Sequence, residues 1–256
     1  MVPTRRIHKG AAVSGQAVSD QKNDQGNHQG NDQGNDQGGL DIRGLLRSLP
    51  VFDVKLPVFD PDDVPADPAT LFAQWLLAAV EDGLPEPHAM TLATADAQGR
   101  PSARVLICKD VEPSGHWYFA SSATSRKGRE LTENPQAALT FYWPGHGRQI
   151  RIAGPVVPAA AERSAADFLA RSPGARAEAL AARQSQVLDD PNRAAAELRV
   201  AEARLAERPD LVAPDWTLYA VAAEEVEFWQ ADEQRRHVRL RYGRTGSGWT
   251  RHQLWA

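Results

Sequence analysis

Met90-Thr-Leu-Ala-Thr-Ala95, then Asp96-Ala-Gln-Gly99, then Ser102-Ala-Arg-Val-Leu-Ile-Cys-Lys109: this stretch decides how the chain folds. From Ala89 the residues favour strands, the Asp/Gly-bearing tetrapeptide makes a turn, and the return leg completes a hairpin. Working outward, a third strand is expected over about 116–121, and a short helix follows Ser125 and stops at Asn134-Pro135. Strands are expected again over about 137–143 and 149–157, joined at Pro144-Gly-His-Gly147. The middle reads as helices over 159–170, 175–182 and 194–207, the last with Leu198, Ala201 and Leu205 on one side. The final third returns to strands at about 216–221, 226–230, 238–242 and 249–254, with Gly243-Arg-Thr-Gly-Ser-Gly248 as the last turn. Upstream, residues 40–68 read as extended and proline-punctuated. Asp67 then caps a helix over 69–82 that starts with Pro68, carries Leu71, Phe72, Trp75, Leu76 and Ala79 on one face, and ends at Gly83. Several short antiparallel strands with helices grouped apart predict an α+β domain around a barrel-like sheet.

Bulk properties narrow the function classes. The 256 residues have a formal net charge of -4, which argues against general affinity for nucleic acid or anionic membrane, so any basic patch must be local. The single cysteine, Cys108, excludes an internal disulfide and a multi-cysteine metal site, and its apolar neighbours favour a buried thiol over a nucleophile. No stretch approaches the roughly 18 to 20 apolar residues of a membrane span, and no apolar run follows Arg5-Arg6 as a signal peptide requires. A cytoplasmic location is the expectation. Asn23-Asp-Gln-Gly, Asn27-His-Gln-Gly, Asn31-Asp-Gln-Gly and Asn35-Asp-Gln-Gly form a period-four repeat without apolar side chains. Residues 1–39 therefore read as a disordered low-complexity tail, ahead of a domain over 40–256. The repeat has the wrong period for a calcium loop and lacks a closing Glu, so no metal site is assigned.

Chemistry gathers in a few places. Glu227-Phe-Trp-Gln230 followed by Arg235-Arg-His-Val-Arg239 puts an aromatic face, three guanidiniums and an imidazole within thirteen residues, a set suited to a planar anionic ligand. The same segment also reads as a soluble strand edge with Trp229 in the core. Thr124-Ser-Arg-Lys-Gly-Arg-Glu130 begins a helix with hydroxyls and adjacent cations, which makes an anion site, especially for phosphate. A capped surface helix with solvated cations is the alternative there. Arg104 and Lys109 bracket an apolar run, while Arg148-Gln149 and Gln184-Ser185 offer groups able to read a heterocycle.

Taken in order along the chain, these motifs resemble the FMN-dependent pyridoxamine 5′-phosphate oxidase family from about residue 49 to the C-terminus. The resemblance implies an antiparallel split β-barrel with peripheral helices, forming a homodimer with FMN at the interface. It implies an FMN shell of Arg104, Val105, Leu106, Ile107, Cys108, Lys109, Phe119, Ala120, Arg126, Lys127, Gln149, Gln184, Ser185, Trp229 and Arg239, with Arg126 and Lys127 on the FMN phosphate. Arg235 and His237 resemble the catalytic pair that holds substrate over the flavin; Arg236 joins them, and Lys109 and Arg171 resemble substrate-phosphate anchors. The implied reaction oxidises pyridoxamine or pyridoxine 5′-phosphate to pyridoxal 5′-phosphate and reduces oxygen to hydrogen peroxide.

The chain departs from the family pattern at particular positions. Asp167 and Ala175 stand where a Tyr and a Ser normally help hold the substrate phosphate, Phe119-Ala120 replaces a Tyr-Thr-type pair, and Val238 replaces an Asp. One extra residue precedes Ser125, and Ser121 or Ser122 is positioned to supply the missing hydroxyl. Ser125-Arg-Lys-Gly-Arg-Glu-Leu131 and Arg183-Gln-Ser185 are similar to a branch that oxidises reduced phenazine precursors. An oxidase of such a heterocycle is thus one alternative; a non-catalytic flavin-binding protein is another.

Overall fold

The computed structural model describes residues 41–246 and 248–256, so the expected tail over 1–39 lies outside the described residues. Helix α1 (Ile42–Ser48), capped by Asp41 accepting from the Gly44 N–H at 2.8 Å, belongs to a unit separate from Pro50–Ala256 and is described only by itself. It corrects the extended reading of residues 40–48. Prolines punctuate this region only from Pro50 onward, and an Asp cap is enough to start a short helix before them.

Within Pro50–Ala256, α2 (Pro68–Glu81) begins as expected, with Asp67 accepting from the Thr70 N–H at 2.8 Å and Pro68 in the first turn. The strands are β1 (Ala89–Ala95), β2 (Pro101–Ile107), β3 (Asp110–Glu112), β4 (His116–Ser122), β5 (Gln136–Trp143), β6 (Arg148–Pro158), β7 (Trp216–Ala222), β8 (Glu225–Gln230), β9 (Val238–Thr245) and β10 (Gly248–Gln253). Helices α3 (Arg126–Glu133), α4 (Ala161–Leu169), α5 (Pro173–Ala181) and α6 (Pro191–Glu207) complete the order. All strand pairings are antiparallel, in the order β10-β9-β8-β6-β5-β1-β2, with β7 and then β4 and β3 branching from the far end of β6. The last turn is shorter than expected: Gly243 lies inside β9, paired with Glu225, because a glycine can occupy a strand wherever its backbone partners are met.

β6 is the hinge of this architecture. Arg148–Ala153 pairs with β8, Val156–Pro158 pairs with β7, and the strand pairs with β5 along its length. Gly154 sits at the crossing, where an added Cβ would lie 2.2 Å from the Ala222 carbonyl oxygen, so only glycine lets the two sheets meet there. The core follows the strand alternation: Met90 and Leu92 of β1, Leu139 and Phe141 of β5, and Ile150 and Ile152 of β6 are buried. Phe72 of α2 packs edge-on to Phe141 at 4.9 Å, and Trp75 does the same to Phe228 at 5.1 Å. This core backs the sheet that carries both the edge strand β2 and the β8–β9 pair, where candidate residues lie.

Candidate functional site

The N-terminus of α3 is built as an anion cradle. The Ser125 hydroxyl donates to the Ser122 carbonyl at 2.7 Å and accepts from the Gly128 N–H at 3.3 Å, capping the helix. Gly128 is required because a Cβ there would stand 2.3 Å from the Ala123 carbonyl oxygen. Lys127 folds back and donates to Ser121 Oγ at 3.0 Å, Ser125 Oγ at 3.2 Å and Gln184 Oε1 at 2.9 Å. Of the two hydroxyls expected as alternatives here, Ser121 contacts Lys127, while Ser122 is tied to Asp215. Lys127 is buried, yet no carboxylate among the described residues lies within ion-pair distance of it. Burial first, and the charge of Arg104 second, push its ammonium down from 10.5 to about 8.

The neighbouring cations differ from Lys127. Glu130 accepts from Thr94 at 2.5 Å, Ser102 at 2.6 Å and Arg126 Nε at 2.8 Å, and lies 3.6 Å from Arg104. Burial pushes its carboxyl up, but these hydrogen bonds and the Arg126 charge outweigh it and hold Glu130 at about 2. Arg104 and Arg126 thus share one carboxylate, and Lys127 has no carboxylate partner of its own among the described residues. The Arg126 main-chain N–H donates to Ser185 Oγ at 3.1 Å, which ties the Gln184-Ser185 loop to the helix end. Ser185 itself is held in the left-handed region at φ 72°, a strained conformation for a non-glycine residue.

A cavity of ≈ 530 Å³ adjoins the cradle, lined by Val105, Leu106, Ile107, Lys109, Ala120, Ser121, Arg171, Gln184 and Trp216 among others. It is large enough for a drug-sized planar ligand. Lys109 Nζ stands 3.3 Å from Asp167 Oδ1, and Asp167 Oδ2 accepts from Trp216 Nε1 at 2.8 Å. The Arg171 guanidinium lies 4.3 Å above the Trp216 ring. Cys108 is half-buried, and burial pushes its thiol up to about 12, which rules it out as a thiolate nucleophile near neutral pH. Phe119 is wholly inside the core, stacked on Tyr219 at 5.4 Å, so what it can offer a ligand is its main chain.

The remaining candidates form a second group on β6, β8 and β9. Trp229 pairs across the sheet with Gln149 on one side and Arg239 on the other. His237 packs 4.8 Å from Trp229, and its Nδ1 accepts from the Asp232 N–H at 3.1 Å, which leaves the proton of the neutral ring on Nε2. Arg239 donates to Glu227 at 2.9 Å, so a buried carboxylate orients it. Arg235 and Arg236 are exposed, and Arg235 has a left-handed φ of 62°. Three strands, β6, β5 and β1, separate β8 from β2. At about 4.8 Å per strand that is about 19 Å along the sheet, and no hydrogen bond or ion pair joins the two groups among the described residues.

Sequence reasoning assigned no site role to Trp216 or Phe52 and no partner to Glu130 or Asp167. Glu130 was legible, since it sits four residues after Arg126 on one helix. Asp167 was noticed as a departure, but its bond to Trp216 spans 49 positions and has no local signature. Trp216 itself looked like ordinary strand sequence. Phe52, 5.7 Å from Trp229 and 6.0 Å from His237, lies in a segment whose composition signals only a loop.

Residues 76–207 match the family profile described as pyridoxamine 5′-phosphate oxidase, and residues 216–256 match the pyridoxine 5′-phosphate oxidase C-terminal dimerisation region. The chain is 44% identical over 199 residues to a pyridoxine/pyridoxamine 5′-phosphate oxidase of Paraburkholderia phymatum, covering 77% of this chain and 92% of that one. It is 42% identical to the protein of the same name from Deinococcus deserti, covering 73% and 88%. Among solved structures it is similar to PhzG from Burkholderia lata in complex with tetrahydrophenazine-1-carboxylic acid, with a TM-score of 0.71, 36% identity and coverage of 79% and 99%.

Proposed function

The chain belongs to the pyridoxamine 5′-phosphate oxidase family, and we propose that it is an FMN-dependent oxidase of a reduced, planar nitrogen heterocycle that works as a homodimer. The observation that carries the cofactor reading is Lys127, a buried ammonium held by three neutral oxygens with no carboxylate partner. A phosphate monoester presents the charge and acceptors this position lacks, and the N–H groups at the start of α3 add further donors. Val105 and Ile107, exposed on the edge strand β2, offer an apolar surface for a flat ring system. The residues present therefore fit FMN. Bound there, FMN would supply two-electron redox chemistry, taking up a hydride equivalent from the substrate, with oxygen as the final acceptor giving hydrogen peroxide.

The protein's own contribution is binding, orientation and protonation. Lys127, Arg126 and Ser185 hold the phosphate end, and Gln149, Trp229 and Arg239 supply the second half of the cofactor shell. Because Trp229 and Arg239 lie on β8 and β9, beyond β6, β5 and β1 from β2, and fall within the dimerisation region, one complete site uses the first group of one protomer and the second group of its partner. Arg235 and His237 form the substrate clamp, with the neutral His237 ring able to donate through Nε2.

Two substrate readings follow from different observations. Pyridoxamine and pyridoxine 5′-phosphate are supported by the sequence relatives and by Lys109 and Arg171 lining one cavity. A reduced phenazine-like heterocycle is supported by Asp167 beside Lys109 and by the likeness to PhzG. The test is peroxide release from the FMN-loaded protein, with Arg235→Ala and His237→Ala in parallel. Both variants should keep FMN and lose at least about tenfold in kcat/KM, the scale of a lost charge-assisted contact. Unchanged turnover in both removes the clamp assignment.

A further inference from the structure

The cavity beside the α3 N-terminus carries a charge arrangement that holding the flavin does not require. Lys109 and Arg171 line it, and Asp167 stands behind them with both carboxylate oxygens engaged, Oδ1 at 3.3 Å from Lys109 Nζ and Oδ2 at 2.8 Å from Trp216 Nε1. The indole so fixed bears the Arg171 guanidinium on its face. Arg171 donates through Nη2 to the Ala175 carbonyl at 3.1 Å, and no hydrogen bond among the described residues uses its Nη1, so the cation retains a donor for a ligand. A second carboxylate, Glu178, lines the same space.

Two cations and two carboxylates leave this end of the cavity without net positive charge. A ligand anion drawn to Lys109 and Arg171 feels the Asp167 carboxylate behind them, and Asp167 cannot swing away without giving up the Trp216 hydrogen bond. Going from one to two charges doubles the attraction to the cations and the repulsion from the carboxylates alike, so a site with no net charge returns little for the second charge, while the cost of stripping water from a dianion is larger. A carboxylate-sized monoanion can use the unpartnered donor of Arg171, whereas a phosphate dianion also needs Lys109, which Asp167 already occupies.

We propose that Asp167 is a specificity-determining residue: it sets the charge accepted at this end of the pocket, favouring a planar heterocycle with a single negative charge over one bearing a phosphate dianion. The identity of the ligand as a heterocycle rests on the oxidase reading above; the charge selection rests on the side chains around Asp167.

The experiment measures binding of pyridoxal 5′-phosphate and pyridoxal to the FMN-loaded protein by calorimetry, in the wild type, Asp167→Asn and Asp167→Ser. Asn keeps an acceptor for Trp216 while releasing Lys109, and Ser removes the charge with a smaller side chain. In the wild type the phosphate should improve affinity by less than about tenfold; in both variants pyridoxal 5′-phosphate should gain at least about tenfold while pyridoxal moves by less than about threefold. A wild-type preference for the phosphorylated ligand of about a hundredfold or more overturns the proposal. So does a variant that retains FMN and gains no phosphate-dependent affinity. Peroxide assays on the same samples keep the two ideas apart. An Asp167-dependent gain without peroxide from any heterocycle upholds charge selection and sinks the oxidase reading, and peroxide without that gain does the reverse.

Discussion

Lys127→Met should make the apoprotein more stable and the holoprotein worse at holding its cofactor. Lys127 is buried, and its ammonium is pushed from 10.5 down to about 8, mainly by burial. At about 1.4 kcal/mol for each tenfold loss of proton affinity, keeping the charged form costs the apoprotein about 3 kcal/mol. Because the folded value lies below the unfolded one, that cost is fully present below pH 8 and fades between 8 and 10.5. Methionine fills the same volume without charge, and Ser121, Ser125 and Gln184 lose a donor but keep one another as neighbours. Urea unfolding of the apoprotein at pH 7 should therefore show Lys127→Met more stable by about 1 to 3 kcal/mol, the lower figure allowing for those lost bonds. The advantage should close as the pH approaches 10.5. Flavin-quenching titration should show FMN affinity down by about a hundredfold, about 3 kcal/mol for a lost charge-assisted contact to phosphate. A variant that is less stable as apoprotein and binds FMN like the wild type would refute the reasoning, because Lys127 would then be a structural cation.

Two further outcomes follow from the same geometry. Glu130, held at about 2 against an ordinary 4.5, contributes about 3 kcal/mol of stability that is present above pH 4.5 and is lost as the pH falls toward 2. The urea-unfolding gap between wild type and Glu130→Gln should accordingly shrink across that window, and a gap that does not change with pH contradicts the assigned cause. Mixed dimers of Lys127→Met and Trp229→Ala protomers, isolated with two different tags, should bind about half the FMN of the wild type with native affinity, because one of their two sites draws both halves intact. No recovery over either parent homodimer places both halves in one protomer.

What was legible in the sequence was whatever depends on local chemistry. Asp67-Pro68 and the spacing of Phe72 and Trp75 define α2, and Ser125 before Arg126-Lys-Gly defines α3, because caps and periodicity act over a few residues. The β1–β2 hairpin was readable from its turn and its paired strands. The three-residue β3 was missed because so short a strand has no period of its own and exists only by pairing with β4. The extent of β9 was missed because glycine-rich sequence reads as turn, although Glu225 and Thr250 pair with Gly243 from both sides. At the site, the order of the motifs located the residues, but their partners were hidden. The clasp of Asp167 between Lys109 and Trp216, and the contact of Phe52 with Trp229 and His237, join residues far apart in the chain. Such contacts are consequences of the fold and leave no spacing to read.

Two-electron oxidation by this chain with bound FMN is open to an anaerobic titration. FMN-loaded protein is mixed without oxygen with pyridoxine 5′-phosphate, pyridoxamine 5′-phosphate or a reduced phenazine carboxylate, and the flavin absorbance is followed before and after air is admitted. At least one of these should bleach the flavin, and oxygen should restore the colour with one peroxide per flavin. Tightly bound FMN that stays oxidised with all three would contradict it and leave a flavin-binding protein in its place.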